Sequence, residues 1–168
     1  EHVVVRHTGM HNTKFGEGIY IGTARSNWCT YSACGPDRSD RNVIRDNDIA
    51  GTTAENIDVK EGTTGGVISG NRLSGDGLVG SAASAWVNVK GNAWTVTGNS
   101  GTQSDKDGLQ VHEILSGWGL GNVFHGNSGQ VDGPGFGIYV QSRSLQTVVG
   151  CDNTVSGASG VSNEGCSS

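Results

Sequence analysis

Short alternations of apolar and polar residues recur along the chain: GIYIGT from Gly18, NIDVKEG from Asn56, WVNVKGN from Trp86, GLQVHEI from Gly108 and GIYVQS from Gly137. Alternation over so few residues predicts β-strands with one buried face. Superposed, Ile19, Ile57, Val87, Leu109 and Ile138 make one apolar column, and Ile21, Val59, Val89, Val111 and Val140 a second. Both columns should point inward, with Val161 extending the first into the last coil. A second phrase, apolar and then turn-forming, ends each time on an asparagine: NVIRDNDI, GGVISGNRL, AWTVTGNSG, NVFHGNSG and TVVGCDNTV. Its Asn47, Asn71, Asn99, Asn127 and Asn153 are spaced 24, 28, 28 and 26 residues apart. Such a period marks a repeat architecture. Each coil carries at least two strands, one before the asparagine and one about ten residues after it. The expected fold is all-β: one right-handed parallel β-helix over residues 1–168, of about five to six coils. In it the asparagines stack as a structural ladder, each amide donating to one neighbouring turn and accepting from the other. The only helical signal is a weak turn around residues 79–86.

The same superposition fixes the outward columns. One reads Tyr20, Asp58, Asn88, Gln110, Tyr139, and the next Gly22, Lys60, Lys90, His112, Gln141. Glu55 and Asp107 flank the strand starts, and Glu61 and Glu113 the ends. This surface is the candidate functional face. Lys60 and Lys90 occupy matched positions in neighbouring coils, with backbones about 5 Å apart. Like charges that close lower one pKa, which would suit a general base. Structural pairing with Asp58, Glu61 or Glu113 is the reading favoured over both a role in ligand binding and the base. His112 is either a solvated histidine or part of the site, and the second histidine of a zinc-protease motif is missing. Trp86 is expected to point outward before the lysine strand; Trp28 and Trp118 fall in loops. Exposed rings there would stack on sugars, and buried ones would cover the core.

Composition narrows the partners. The net charge of −5 argues against nucleic acid, while leaving an acidic polysaccharide open to a local basic patch. No apolar run is long enough to cross a membrane as a helix, so no membrane partner is expected. The chain has 29 Gly and 2 Pro, which fits many tight turns. The four cysteines are expected to form local disulfides, Cys29 with Cys34 in the long 24–40 loop and Cys151 with Cys166 around a capping coil at 151–168. That implies a secreted, extracellular protein. The chain begins at Glu1 rather than Met, so a mature or trimmed product is expected. Val3-Val4-Val5 reads as a strand that starts without a cap. Either Glu1 is an internal cut in a longer chain, or end-to-end self-association covers that coil and builds a filament.

FGEGIYIGTA, TAENIDVKEGTTGG and WVNVKGN resemble secreted right-handed parallel β-helix proteins of the pectate-lyase-like superfamily, notably those of actinobacteria. The resemblance covers nearly the whole chain and implies polysaccharide chemistry. ENIDVKE is also similar to the strand that carries the base lysine in alginate lyases and chondroitinase B, which implies Lys60 as base. Glu61 stands where that strand usually has serine, no partner arginine is identified, and the polygalacturonase signatures are missing. A lyase of this kind would take a proton α to a uronate carboxylate with Lys60. Lys90, or a Ca²⁺ held by Asp58 and Glu55, would neutralise that carboxylate, and His112 or a tyrosine would protonate the leaving oxygen. No cofactor is required in this reading. Tyr20, Trp86, Asn88, Gln110, Tyr139 and Gln141 are the candidate substrate-binding residues. A hydrolase would instead draw its acid and base from Asp58, Asp107, Glu61 and Glu113. Two other classes stay open: a non-catalytic glycan-binding module and a structural, filament-forming solenoid.

Overall fold

The computed structural model describes residues 1–80 and 84–167. One strand, β1 (Val4–Arg6), precedes five triplets. The first two triplets are β2 (Ile19–Ile21), β3 (Val43–Arg45), β4 (Asp48–Ala50) and β5 (Ile57–Val59), β6 (Val67–Ser69), β7 (Arg72–Ser74). The next two are β8 (Ala85–Val89), β9 (Thr95–Thr97), β10 (Ser100–Thr102) and β11 (Asp107–Val111), β12 (Val123–His125), β13 (Ser128–Gln130). The last is β14 (Ile138–Val140), β15 (Val148–Val149), β16 (Thr154–Ser156). Corresponding strands pair in parallel, giving sheets ordered β2-β5-β8-β11-β14, β3-β6-β9-β12-β15 and β1-β4-β7-β10-β13-β16. The fold is the parallel β-solenoid that the repeat implies. Five strands in a sheet are separated by four full turns, slightly fewer than the five to six coils expected, with β1 adding a partial one.

The register of the first sheet matches the sequence superposition: Ile19↔Ile57↔Val87↔Leu109↔Ile138 and Ile21↔Val59↔Val89↔Val111↔Val140. Both columns join one core running the length of the molecule. Val161 does not extend the first column: Ser162 bridges to Ile138, and Val161 is 37% exposed. Each coil has three strands, one more than the two that the sequence pattern locates. The asparagine sits at the corner between the second and third strand of the coil. The missed strands hold a single inward position each, and in β10 and β13 that position is Gly101 and Gly129, so no alternation shows.

The asparagines form the predicted ladder. Nδ2 of Asn47, Asn71, Asn99 and Asn127 donates to Oδ1 of the next asparagine at 2.8–3.0 Å. The same Oδ1 atoms accept the backbone N–H of the preceding asparagine. From Asn71 onward, Nδ2 also reaches a carbonyl one coil back: Ile44, Ile68, Val96 or Phe124. The amides are thus fully satisfied inside the corner, which removes the penalty of burying polar groups. Both disulfides form as expected, Cys29–Cys34 and Cys151–Cys166. The weak helical turn expected at 79–86 falls in part on residues 81–83, outside the described residues; from Ala85 the chain is strand.

Trp86 corrects an expectation. It points inward, is 3% exposed, and its Nε1 donates to the carbonyls of Thr102 and Gln103. The room comes from the facing glycines: a Cβ on Gly101 would stand 2.3 Å from the ring, and one on Gly129 2.7 Å. The strand starts at a corner, where strict alternation fails, so both Trp86 and Val87 turn inward. Trp94 is also core, and Trp28 is buried with its Nε1 on Thr23 O. None of these three is available for stacking on a sugar.

Candidate active site

The first sheet presents its outward columns side by side because the ladder register is unbroken: Tyr20↔Asp58↔Asn88↔Gln110↔Tyr139. The following positions stack likewise, since Lys60, Lys90, His112 and Gln141 each donate a backbone N–H to the coil before. The 24–40 loop walls the end near Lys60. It is anchored there by Glu61, which is buried and accepts the Arg25 N–H at 2.7 Å.

Asp58 is the pivot. Its carboxylate is 1% exposed and accepts from Lys60 Nζ and from Lys90 Nζ, each at 2.5 Å. This reverses the expected lysine electrostatics. Burial alone would lower the Lys60 pKa, but the charge and hydrogen bond of Asp58 outweigh it and hold the ammonium well above its ordinary range. Lys60 is protonated at rest. Its Nζ lies 4.8 Å from the centroid of the Tyr20 ring, which is 46% exposed. Burial pushes the Tyr20 phenol up, and Lys60 opposes this only in part, so Tyr20 keeps its proton.

Beside this pivot, Glu17, Glu55 and Asp58 each bring a carboxylate oxygen within 4.8 Å of the others. Burial, and then the Asp58 charge, raise the Glu55 pKa. The set is all oxygen and suits a hard cation, although both Asp58 oxygens already hold lysines. Glu55 also accepts Asn88 Nδ2 at 3.1 Å, and Asn88 Oδ1 lies 3.0 Å from His112 Nδ1. Burial, and then Lys90, keep His112 below its ordinary pKa. The Tyr139 ring lies 5.7 Å from His112, with Lys106 Nζ 5.4 Å from the Tyr139 centroid.

The remaining candidates separate by burial. Gln110 is 2% exposed and committed to Asp107 and Ser84, so it supports the face from beneath. Gln141 is exposed but accepts the Glu113 N–H. Asp107 is fully buried on the Phe136 N–H and Gln110. With Glu61 on Arg25 and Asp58 between two lysines, no free pair remains among the hydrolase carboxylates. Sequence reasoning missed Glu17 and Lys106. Glu17 precedes Ile19 by the same offset as Glu55 precedes Ile57, so one more column of the superposition would have found it.

The chain is similar to an alginate lyase. The solved structure of alginate lyase from Paenibacillus sp. str. FPU-7 superposes with a TM-score of 0.86 at 29% sequence identity, over 98% of this chain and 56% of that one. The chain therefore spans little more than half the length of that lyase. No family model and no curated protein matches the chain.

Proposed function

We propose that the protein is a secreted polysaccharide lyase that cleaves a uronate-containing polymer by β-elimination. The carrying observation is the Lys60–Asp58–Lys90 triad beside Tyr20, on a fold shared with an alginate lyase. With Lys60 deprotonated as the base, Lys90 is the ammonium left in the triad to meet a uronate carboxylate. Lys90 would pair with that carboxylate and so stabilise the charge developing on it. Neutral Tyr20 suits donation to the leaving glycosidic oxygen. Lys60 accepts the proton α to the carboxylate in its deprotonated form, which Asp58 makes scarce at neutral pH. The reaction then runs faster as pH rises. A Ca²⁺ held by Glu17, Glu55 and Asp58 would supply further charge for the substrate carboxylate. The two disulfides support secretion, since such bonds persist in oxidising compartments. The test is product formation from alginate, polygalacturonate and glycosaminoglycans, followed by the absorbance of the unsaturated uronate end. A Tyr20→Phe variant should lose it.

The pairing of both lysines with Asp58 also favours a second reading, glycan binding without chemistry. It predicts retained binding and no product on any substrate of the panel. Filament formation would show as a size that grows with concentration.

A further inference from the structure

Asn88 sits between Glu55 and His112. Its Nδ2 donates to Glu55 Oε1 at 3.1 Å. That orients its carbonyl Oδ1 toward His112 Nδ1, 3.0 Å away. A carbonyl oxygen cannot donate, so His112 Nδ1 carries the hydrogen. Nε2 of the neutral ring is then left with a free lone pair. Among the described residues no hydrogen-bond partner meets it. Glu55 and Asn88 thus select the tautomer, although neither reaches the far side of the ring.

Around His112 the structure gathers the other two features of a sugar-acid site. The Tyr139 ring stands 5.7 Å from the imidazole at 43°, offering an aromatic face. Lys106 Nζ lies 5.4 Å from the Tyr139 centroid, on a side chain 53% exposed, and its nearest carboxylate is Asp107 at 4.0 Å. Its charge remains available to solvent. Lys60, Lys90 and His112 occupy matched positions in successive coils, so this group lies roughly 10 Å along the solenoid from Lys60. A short oligosaccharide spans that distance and a single sugar does not.

We propose that His112, Tyr139 and Lys106 form a second uronate-binding subsite, in which His112 Nε2 accepts a sugar hydroxyl, Tyr139 packs on the sugar C–H face and Lys106 pairs with the carboxylate. It rests on the lyase reading and adds that the substrate lies along the solenoid axis.

Calorimetric titration tests it in the Lys60→Ala background, where ligand is not consumed, with a uronate disaccharide, a uronate tetrasaccharide and a neutral tetrasaccharide. The tetrauronate should bind more tightly than the other two. Lys106→Ala should weaken tetrauronate binding roughly two- to fivefold. His112→Gln should weaken it roughly three- to tenfold, and neither change should alter disaccharide binding. Equal losses for both lengths, no loss for either, or no binding of any uronate overturns the subsite. Long-range proton–nitrogen spectra of His112 give an independent readout on the intact chain. A protonated Nδ1 and bare Nε2 are expected, a preference that Asn88→Leu should relax; a protonated Nε2 in the unaltered chain overturns the assignment. Tight, length-dependent binding with no product from the unaltered chain would remove the lyase chemistry and leave the subsite standing.

Discussion

Replacing Asp58 by asparagine removes one negative charge from between two ammonium groups. The three partners are nearly enclosed: Asp58 is 1% exposed, and the side chains of Lys90 and Lys60 are 9% and 15% exposed. Breaking a buried ion pair by deleting one partner costs about 3–5 kcal/mol, because the surviving charge stays desolvated. Here two charges survive, and they repel. At about 2–4 °C per kcal/mol for a chain of this size, the melting temperature should fall by roughly 6–20 °C. Urea titration of Asp58→Asn, Lys90→Met and the double variant separates the contributions. In the Lys90→Met background the cost of Asp58→Asn should drop by more than about 1 kcal/mol, as expected for groups in contact. The same substitution removes the group that holds Lys60 charged and leaves Lys90 to disfavour that charge. The rising limb of the pH–rate profile should therefore move down by about one unit or more, whatever the loss in overall rate. A stability cost under about 1 kcal/mol, the level of an exposed pair, together with an unmoved pH limb, would refute this reasoning.

Other outcomes follow from the same structure. Asn99→Ala strips two acceptor and three donor contacts from the middle of the ladder and should cost about 2–4 kcal/mol by chemical denaturation, with no specific effect on glycan affinity. Trp86→Ala should cost about 3–5 kcal/mol by opening a cavity over Gly101 and Gly129, again without selective loss of uronate binding. For His112 the folded pKa is depressed, so its contribution to stability is complete above the unfolded value near 6.5 and is lost as pH falls through the folded value. His112→Gln should thus lose less stability than the unaltered chain between about pH 7 and pH 5, and equal slopes would contradict this. Glu55 has the opposite sign. Its raised pKa gives full stability below about 4.3 and a decline as pH rises through the folded value, which Glu55→Gln should flatten.

The sequence made the solenoid legible because a repeat writes the same constraint several times. Ile57, Val87 and Leu109 need the same inward position in successive coils, and the five asparagines need the same corner. What stayed hidden was set by only one coil. Trp86 turns inward because glycines on other strands, Gly101 in its own coil and Gly108 and Gly129 in the next, leave it room, and no local pattern at Trp86 records that. The third strand of each coil is short, with one inward residue, too little for a period to show. At the candidate site the columns placed Asp58, Lys60 and Lys90 together, but column order could not say which charges touch. Proximity of the lysines alone suggested a lowered pKa; the Asp58 carboxylate between them raises it for Lys60. Likewise Gln110 belongs to the right column, yet Asp107 and Ser84 claim its amide, and burial removes it from the surface.

The most direct test of the lyase reading is ultraviolet absorbance of the unsaturated uronate product, recorded for the unaltered chain and Lys60→Ala on alginate, polygalacturonate and glycosaminoglycans, with and without Ca²⁺. The account predicts a rise on at least one uronate polymer that strengthens toward alkaline pH and disappears in Lys60→Ala. A flat trace on every polymer, or a rise that survives in Lys60→Ala, would contradict it.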